Sequence, residues 1–492
     1  MISDKIVIIY AQDYLPDNAA PSYPPEDLNI PLGILYLGSH LNSIGRRVKL
    51  MDTRIHKKGD FFKALQDELD DCLLAGFSVT TPCVKNALEI SDFIKKLKPS
   101  VKTVWGGVHA SLYPDATASS GLVDYVIVKE GELPLSELAK YLLGNKKEIT
   151  GIPNLVFKID GSIKRNTVQD NGRLGFIGVA DYALLDMEKY VEKIIAPNRR
   201  RRQVEVLTAR GCPYRCAFCV NTILYDRKWR SEPPDLTLEK LDRLIGDYKI
   251  DHVFFMDEDF FCNRNRTKSL IADIGKRKIT WEANCRADYI KDDYLDDNLL
   301  DSLKKSGCVK LRFGLESGSQ RVLDLLKKDI TVEDSLNMAK RLSRYGIVPA
   351  ASFMMGLPDE TAGDVIKTTD LISRLSAVNP DIMISGPAIF RPYPGSELFR
   401  RCEEKGLVAP KTLDEWSDFY MHNNFDEYHN GVPWFDDVYI FKRVWLCLAH
   451  LRIGAGNKLF RWLARLIVRF HLATKLKFVE SEYLLHKFIK NI

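Results

Sequence analysis

Cys212, Cys216 and Cys219 lie in the run Arg210-Gly-Cys-Pro-Tyr-Arg-Cys-Ala-Phe-Cys-Val220, a C-x3-C-x2-C cluster with an aromatic residue, Phe218, directly before the last thiol. Three thiolates on one short loop suit soft iron, and three protein ligands on a four-iron cluster leave one iron open to an outside ligand. Structural zinc normally closes its shell with a second Cys or His pair, and none follows this loop within reach. Zinc and unrelated structural thiols are the competing readings of the same residues.

Such a loop has to be carried on rigid elements. It follows directly on the first of six strand candidates, residues 204–209, 252–258, 280–286, 310–317, 348–356 and 381–390, each trailed by a helical stretch. Six β/α units make a partial (β/α)6 barrel, and sites on barrels gather at the carboxyl ends of the strands. Upstream, residues 1–145 alternate short apolar strands (5–10, 48–52, 75–80, 101–106, 125–128) with amphipathic stretches (32–44, 61–73, 84–97), the pattern of a Rossmann-like parallel sheet. Residues 146–202 read as a connector, with a turn at Asp160-Gly161 and the basic run 199–202. The barrel is expected over 203–400 and a mainly helical, basic region over 401–492. The fold class is therefore α/β.

Composition bounds the chemistry from another side. The chain has 492 residues, 45% hydrophobic and 28% charged, enough for two to four globular domains. A net charge of +5 does not by itself imply nucleic acid. Ten cysteines, three of them in one loop, read as reduced thiols plus a metal site and place the protein in the cytoplasm. The acidic residue and short apolar run of the first ten residues read as a strand and not a signal peptide, and no stretch reaches the roughly 18 apolar residues of a membrane span.

Polar groups recur where the barrel strands should end. The second ends at Met256-Asp-Glu-Asp259 and the third at Asn284-Cys-Arg286, whose guanidinium suits a bidentate carboxylate contact or a salt bridge on the barrel rim. The fourth ends at Gly314-Leu-Glu-Ser-Gly-Ser319; the fifth leads into Met355-Gly-Leu-Pro-Asp-Glu-Thr361, and Phe390-Arg-Pro-Tyr-Pro-Gly-Ser-Glu397 follows the sixth. With the cysteine loop, these motifs resemble the radical S-adenosylmethionine (SAM) enzymes. The resemblance implies a [4Fe-4S] cluster on Cys212, Cys216 and Cys219 with SAM on the open iron. It also implies SAM contacts from Phe218, Asp257 and Glu258, from Arg286 to the carboxylate, and from Glu316 and Ser317 to the ribose. The usual Gly-Gly-Glu of the second strand is absent, and the acidic form in its place is similar to that of the cobalamin-associated branch.

The N-terminal half supports that branch. Ser78-Val-Thr80 follows one strand and Gly106-Gly107 the next, roughly 28 residues later. This pair resembles two of the three motifs of cobalamin-binding domains, and implies cobalamin contacts from Ser78, Thr80, Gly106, Gly107 and His109. Glycine at the second site would let the nucleotide tail approach the backbone closely. The third motif, D-x-H-x-x-G, is missing: His56 lies four residues after Asp52, behind the wrong strand, and reads as a surface residue. The resemblance thus implies cobalamin held without a histidine on cobalt.

Taken together, these features resemble the radical SAM proteins with a cobalamin (B12)-binding domain. The activity implied is methyl transfer to an unactivated carbon or phosphorus centre, with oxidative cyclisation or rearrangement without methyl transfer as the alternative. A scaffold with a vestigial cluster is the non-enzymatic alternative, against which the complete cysteine triad speaks. The implied partners are a flavodoxin- or ferredoxin-type reductant and a small-molecule or lipid substrate. Nucleic acid is not expected, since the tRNA methylthiotransferase branch carries a second, N-terminal cysteine cluster and only Cys72 and Cys83 lie there. In the tail, Arg461, Arg465 and Arg469 form a stripe opposed by Leu459, Leu463, Leu466, Ile467 and Phe470. That pattern suits peripheral contact with the inner face of an anionic membrane, or a helix packed on the barrel.

Overall fold

The computed structural model describes residues 4–16, 28–169, 172, 178–196, 199–419 and 434. Two seven-stranded sheets organise them. The first contains β1 (Lys5–Tyr10), β2 (Val48–Asp52), β3 (Cys72–Ser78), β4 (Lys102–Gly106), β5 (Tyr125–Ile127), β6 (Leu155–Ile159) and β7 (Ser162–Arg165), in the order β2-β1-β3-β4-β5-β6-β7. The first five strands run parallel. β1 reads as an unbroken apolar run because helices cover both faces of the sheet; Ile6, Val7, Ile8 and Ile9 are all buried. The helix Val84–Leu97 shows the matching logic, with Val84, Ala87, Ile90 and Ile94 buried at three- and four-residue steps. Chain order reverses between β1 and β3, so the crevice for a ligand opens there, at the carboxyl ends of the strands.

The stretch expected as a connector is built into both sheets. β6 and β7 form a hairpin around Asp160-Gly161 and add antiparallel to β5. The hairpin covers an edge that would otherwise present unpaired main chain. Next, β8 (Glu192–Ala196) pairs antiparallel with β9 (Arg199–Val206), so the basic run is the first half of a barrel strand. Of these arginines, Arg202 is tied to Glu188 and to the Tyr248 carbonyl, and Arg201 to His252.

A two-stranded ribbon of β10 (Ala209–Arg210) and β11 (Arg230–Ser231) brackets the cysteine loop. β12 (His252–Phe255), β13 (Thr280–Cys285), β14 (Cys308–Glu316), β15 (Val348–Met355) and β16 (Met383–Ile389) then complete six parallel strands from β9 to β16, with β8 on the outer edge. The outward face is apolar: Val204, Val253, Trp281, Leu311 and Ala351 pack with Leu241, Leu270, Leu303 and Leu342 of the helices. Capping boxes at Thr331 and Thr361 start two of those helices. The inward face carries Glu282, bonded by Lys310 and Arg312, and Arg312 lies over the Phe254 ring. After the barrel, the helix Leu413–Asp418 returns to the first domain and buries Trp416 against His109 and Tyr113. Among the described residues no helix is long and apolar enough to cross a membrane. The arginine stripe of the tail lies outside the described residues.

Candidate active site

The cysteine loop leaves β9 through Leu207 and Thr208 and turns at Gly211, whose φ is +83°. A Cβ there would sit 2.0 Å from the Lys228 carbonyl oxygen, so only glycine allows this entry. The middle of the loop is held on both sides: the Ala217 N–H donates to the Leu326 carbonyl at 2.9 Å, and its own carbonyl accepts from the Leu398 N–H at 3.0 Å. All three cysteines are free, Cys216 buried and the other two half-buried. Burial pushes the Cys212 thiol up to about 12 and raises that of Cys219. Thiols so placed become thiolates when a metal cation supplies the missing charge. Among the described residues no three His, Cys, Asp or Glu side chains are arranged to hold one ion. A four-iron cluster does not require that arrangement, since each thiolate takes its own iron.

The residues expected around the loop divide into three groups. Glu316 reaches the site: it sits at φ +64°, and Lys328 Nζ lies 3.2 Å from its Oε1 and 5.7 Å from the centre of the Phe218 ring. Gly314 makes the room, because a Cβ there would lie 2.2 Å from Glu316 Oε1. Glu258 also faces the loop, accepting the Gly211 N–H at 3.2 Å, and burial raises its carboxyl to about 7.

A second group positions the loop from behind. Asp257 is fully buried and accepts from the Thr208 N–H and hydroxyl, both at 2.6 Å, and from the Ala209 N–H at 3.0 Å. Its oxygens thus fasten the chain after β9 to the end of β12. Ser317 is likewise enclosed: its hydroxyl lies 3.0 Å from Thr368 Oγ1 and accepts the Ser319 N–H at 3.1 Å.

Arg286 forms the third case. Its Nε pairs with Asp288 at 3.0 Å, Nη2 donates to the Lys328 carbonyl at 2.8 Å, and the guanidinium carbon lies 3.4 Å from the centre of the Tyr214 ring. The rim salt bridge expected as its alternative is what the structure contains.

Lys328 and the chain Tyr214–Tyr289–Asp259 were not singled out in the sequence. Tyr214 Oη donates to Tyr289 Oη at 2.9 Å, which donates to Asp259 Oδ2 at 2.8 Å, while Asp259 Oδ1 is buried without a partner and burial raises the carboxyl to about 6. Tyr214 stood in the cysteine run and Asp259 in the acidic run, so their motifs were visible. Their convergence was not.

The switch-point crevice of the first sheet is a cavity of about 310 Å3. Ser78, Gly106 and Gly107 line it with Gly33, Tyr36 and Ile127, and so do Leu207, Arg210, Leu224 and Tyr225 from the start and end of the cysteine loop. A groove this size fits the nucleotide tail of a cobalamin, and its walls of main chain and small residues suit close approach. Gly107 has a local reason beyond the ligand. At φ +88° its Cβ would meet Val79 N at 2.8 Å and Val79 O at 2.9 Å.

Two expected cobalamin contacts lie elsewhere. Thr80 Oγ1 is 3.0 Å from Cys83 Sγ, outside the cavity lining. His109 is buried on the far side of its helix, with Nδ1 3.2 Å from Thr81 Oγ1 and its ring against Trp416. Burial lowers its pKa to about 4, so it is neutral. His56 is half-buried near Phe61 and does not line the cavity.

Comparison with known proteins bears on both domains. A radical SAM superfamily model matches residues 206–372 and a B12-binding-domain model matches residues 26–139. An uncharacterized methyltransferase of Pyrococcus horikoshii is 29% identical over 387 residues, 77% of this chain and 79% of that protein. The anaerobic magnesium-protoporphyrin IX monomethyl ester cyclase of Rubrivivax gelatinosus is 26% identical over 421 residues, 79% of this chain and 72% of its own length. The cobalamin-dependent SAM radical enzyme OxsB, solved with aqua-cobalamin bound, superposes with a TM-score of 0.71 at 18% identity, covering 99% of this chain and 75% of OxsB. With a B12-binding domain over residues 26–139 followed by a radical SAM domain over residues 206–372, this chain belongs to the radical SAM enzymes that carry a B12-binding domain.

Proposed function

We propose that the protein is a methyltransferase acting on an unactivated carbon or phosphorus centre of a small-molecule substrate. The observation that carries this reading is that Leu207 and Arg210, which open the cysteine loop, line the same cavity as Ser78, Gly106 and Gly107. The main chain that enters the cysteine loop thus borders the cavity assigned to cobalamin, which supports transfer between neighbouring cofactors. When bound, the cluster and SAM supply a 5′-deoxyadenosyl radical, and cobalamin supplies a methyl group.

In this reading Cys212, Cys216 and Cys219 hold the cluster, and Glu316, oriented by Lys328, takes the hydroxyls of SAM. Asp257 and Glu258 keep the loop seated through its main-chain N–H groups. Ser78, Gly106 and Gly107 receive the nucleotide tail. The apolar lining, Ile8, Leu37, Phe77 and Ile127, excludes water from the groove. A flavodoxin- or ferredoxin-type reductant supplies the electron. The free thiols, nine among the described residues, fit a reducing compartment such as the cytoplasm.

Similarity to the Rubrivivax cyclase supports a second reading, oxidative cyclisation without methyl transfer. Anaerobic reconstitution with iron, sulfide and cobalamin, followed by incubation with SAM and reductant, separates the two. S-adenosylhomocysteine and 5′-deoxyadenosine in equal amounts support methyl transfer, and deoxyadenosine alone supports the second reading. Neither product from a fully loaded cluster counts against both.

A further inference from the structure

Arg210 ends β10 two residues before Cys212, yet its guanidinium is engaged by the other half of the molecule. Nη2 donates to Glu132 Oε1 at 2.7 Å and Nη1 to Glu130 Oε1 at 3.1 Å. Both carboxylates follow β5 of the first sheet. Arg230 of β11 shares Glu130 Oε1 at 2.8 Å, and the Tyr36 ring centre lies 5.4 Å from the Arg210 guanidinium carbon. The group is buried, with Arg210 9% and Glu132 3% exposed.

Tyr36, Glu130, Glu132 and Arg210 also line the cavity. Residues 207–211 are gripped from both domains. Tyr36 Oη of the first domain donates to the Leu207 carbonyl at 3.0 Å, and Lys240 Nζ of the barrel helix Pro234–Tyr248 donates to the same carbonyl at 2.9 Å. From the barrel, Asp257 takes the N–H groups of Thr208 and Ala209, and Glu258 that of Gly211. A buried ion pair of this kind adds little net stability over an apolar contact of the same shape. What a guanidinium fork adds is orientation, since two N–H donors fix its plane against its acceptors. Any movement of the cavity wall at residues 130–132 therefore reaches the main chain that enters the cysteine loop.

We propose that Arg210, held by Glu132 and Glu130, is a positioning residue that couples the cobalamin cavity to the SAM site, so that filling one changes affinity at the other. The proposal rests on the assignment of the cavity to cobalamin and of the thiols to the cluster. Coupling of this kind is reciprocal: each ligand alters the other's dissociation constant by one common factor.

The test uses the full chain with its cluster reconstituted anaerobically. The Kd of hydroxocobalamin is measured with and without SAM, and the Kd of SAM with and without hydroxocobalamin. In the unsubstituted protein both ratios are expected to agree at about fivefold or more. In E132Q and in R210Q, each checked for iron content and helical signal, the ratios are expected to fall to about one while both ligands still bind. A ratio of about one in the unsubstituted protein overturns the proposal, as does an undiminished ratio in a variant that binds both ligands. Loss of either ligand in both variants also overturns it, because a coupling element leaves each site intact. Failure of the unsubstituted protein to bind hydroxocobalamin removes the assignment of the cavity as well, which separates that failure from loss of coupling alone.

Discussion

At the carboxyl edge of the first sheet the cavity is walled mainly by glycines, serines and apolar side chains, with the paired charges of Glu130, Glu132 and Arg210 on the side toward the barrel, whereas the same edge of the second carries thiols, carboxylates and a lysine. The first edge is shaped by what is missing: a Cβ at Gly107 would strike the Val79 backbone. The second is shaped by what is held, as with Asp257 fastening the loop and Lys328 bracing Glu316. A groove for a large preformed cofactor needs close main-chain approach, while a metal cluster and a charged sulfonium ligand need polar groups at set distances. The difference also says where damage should spread. Changes to the glycines of the groove should spare iron content, and changes to the thiols should spare cobalamin binding.

Cys216→Ala offers the sharpest break. It removes one of the three thiols, and SAM cleavage is expected to vanish while cobalamin binding, followed by absorbance, is kept. Retained cleavage in this variant would remove the cluster assignment. Gly107→Val is the mirror experiment: the side chain strains a left-handed backbone and overlaps Val79, so cobalamin binding should fall at least about a hundredfold with iron content unchanged. Equal loss of iron and cobalamin would show that the two edges are not separable. Glu316→Gln leaves the shape and removes the charge facing Lys328; SAM affinity should weaken about tenfold, roughly 1.4 kcal/mol, with cobalamin affinity unaltered.

A fourth effect, read in folding stability and not in ligand binding, concerns the groove's support. His109 is neutral in the folded protein because burial lowers its pKa to about 4 from an ordinary 6.5. A depressed folded pKa means stability is whole above 6.5 and lost as pH falls toward 4, by up to about 3 kcal/mol. Thermal unfolding between these limits should therefore show a slope that His109→Leu reduces. An identical slope in the variant would place the acid sensitivity elsewhere.

The elements were legible to different degrees, for physical reasons. β1 is bounded in the structure as its apolar run suggested, because a strand buried on both faces leaves little ambiguity of period, and β2 beside it has the expected bounds as well. Residues 146–202 looked like a connector because the strands of the hairpin are short and the outer one, β7, is mostly polar and exposed, an edge strand facing water. Within the site, Asp257, Ser317, Thr80 and His109 have the right chemistry in the right motifs. Their side chains nevertheless turn to the loop, to Thr368, to Cys83 and to Trp416. Periodicity says which element a residue occupies, but the direction of a side chain at a strand end depends on a turn whose dihedrals no local pattern specifies.

By itself the sequence determined the thiol spacing, the order of two parallel sheets and the glycines at their loops, because ligand count and strand period are local properties. The tertiary structure alone decided which polar residues face a cofactor and which brace the frame. It alone brought Arg210 to Glu130 and Glu132, and Lys328 to Glu316. Burial supplies the reason: a carboxylate enclosed by N–H donors is already satisfied and serves the fold, whereas one left facing a cavity serves chemistry.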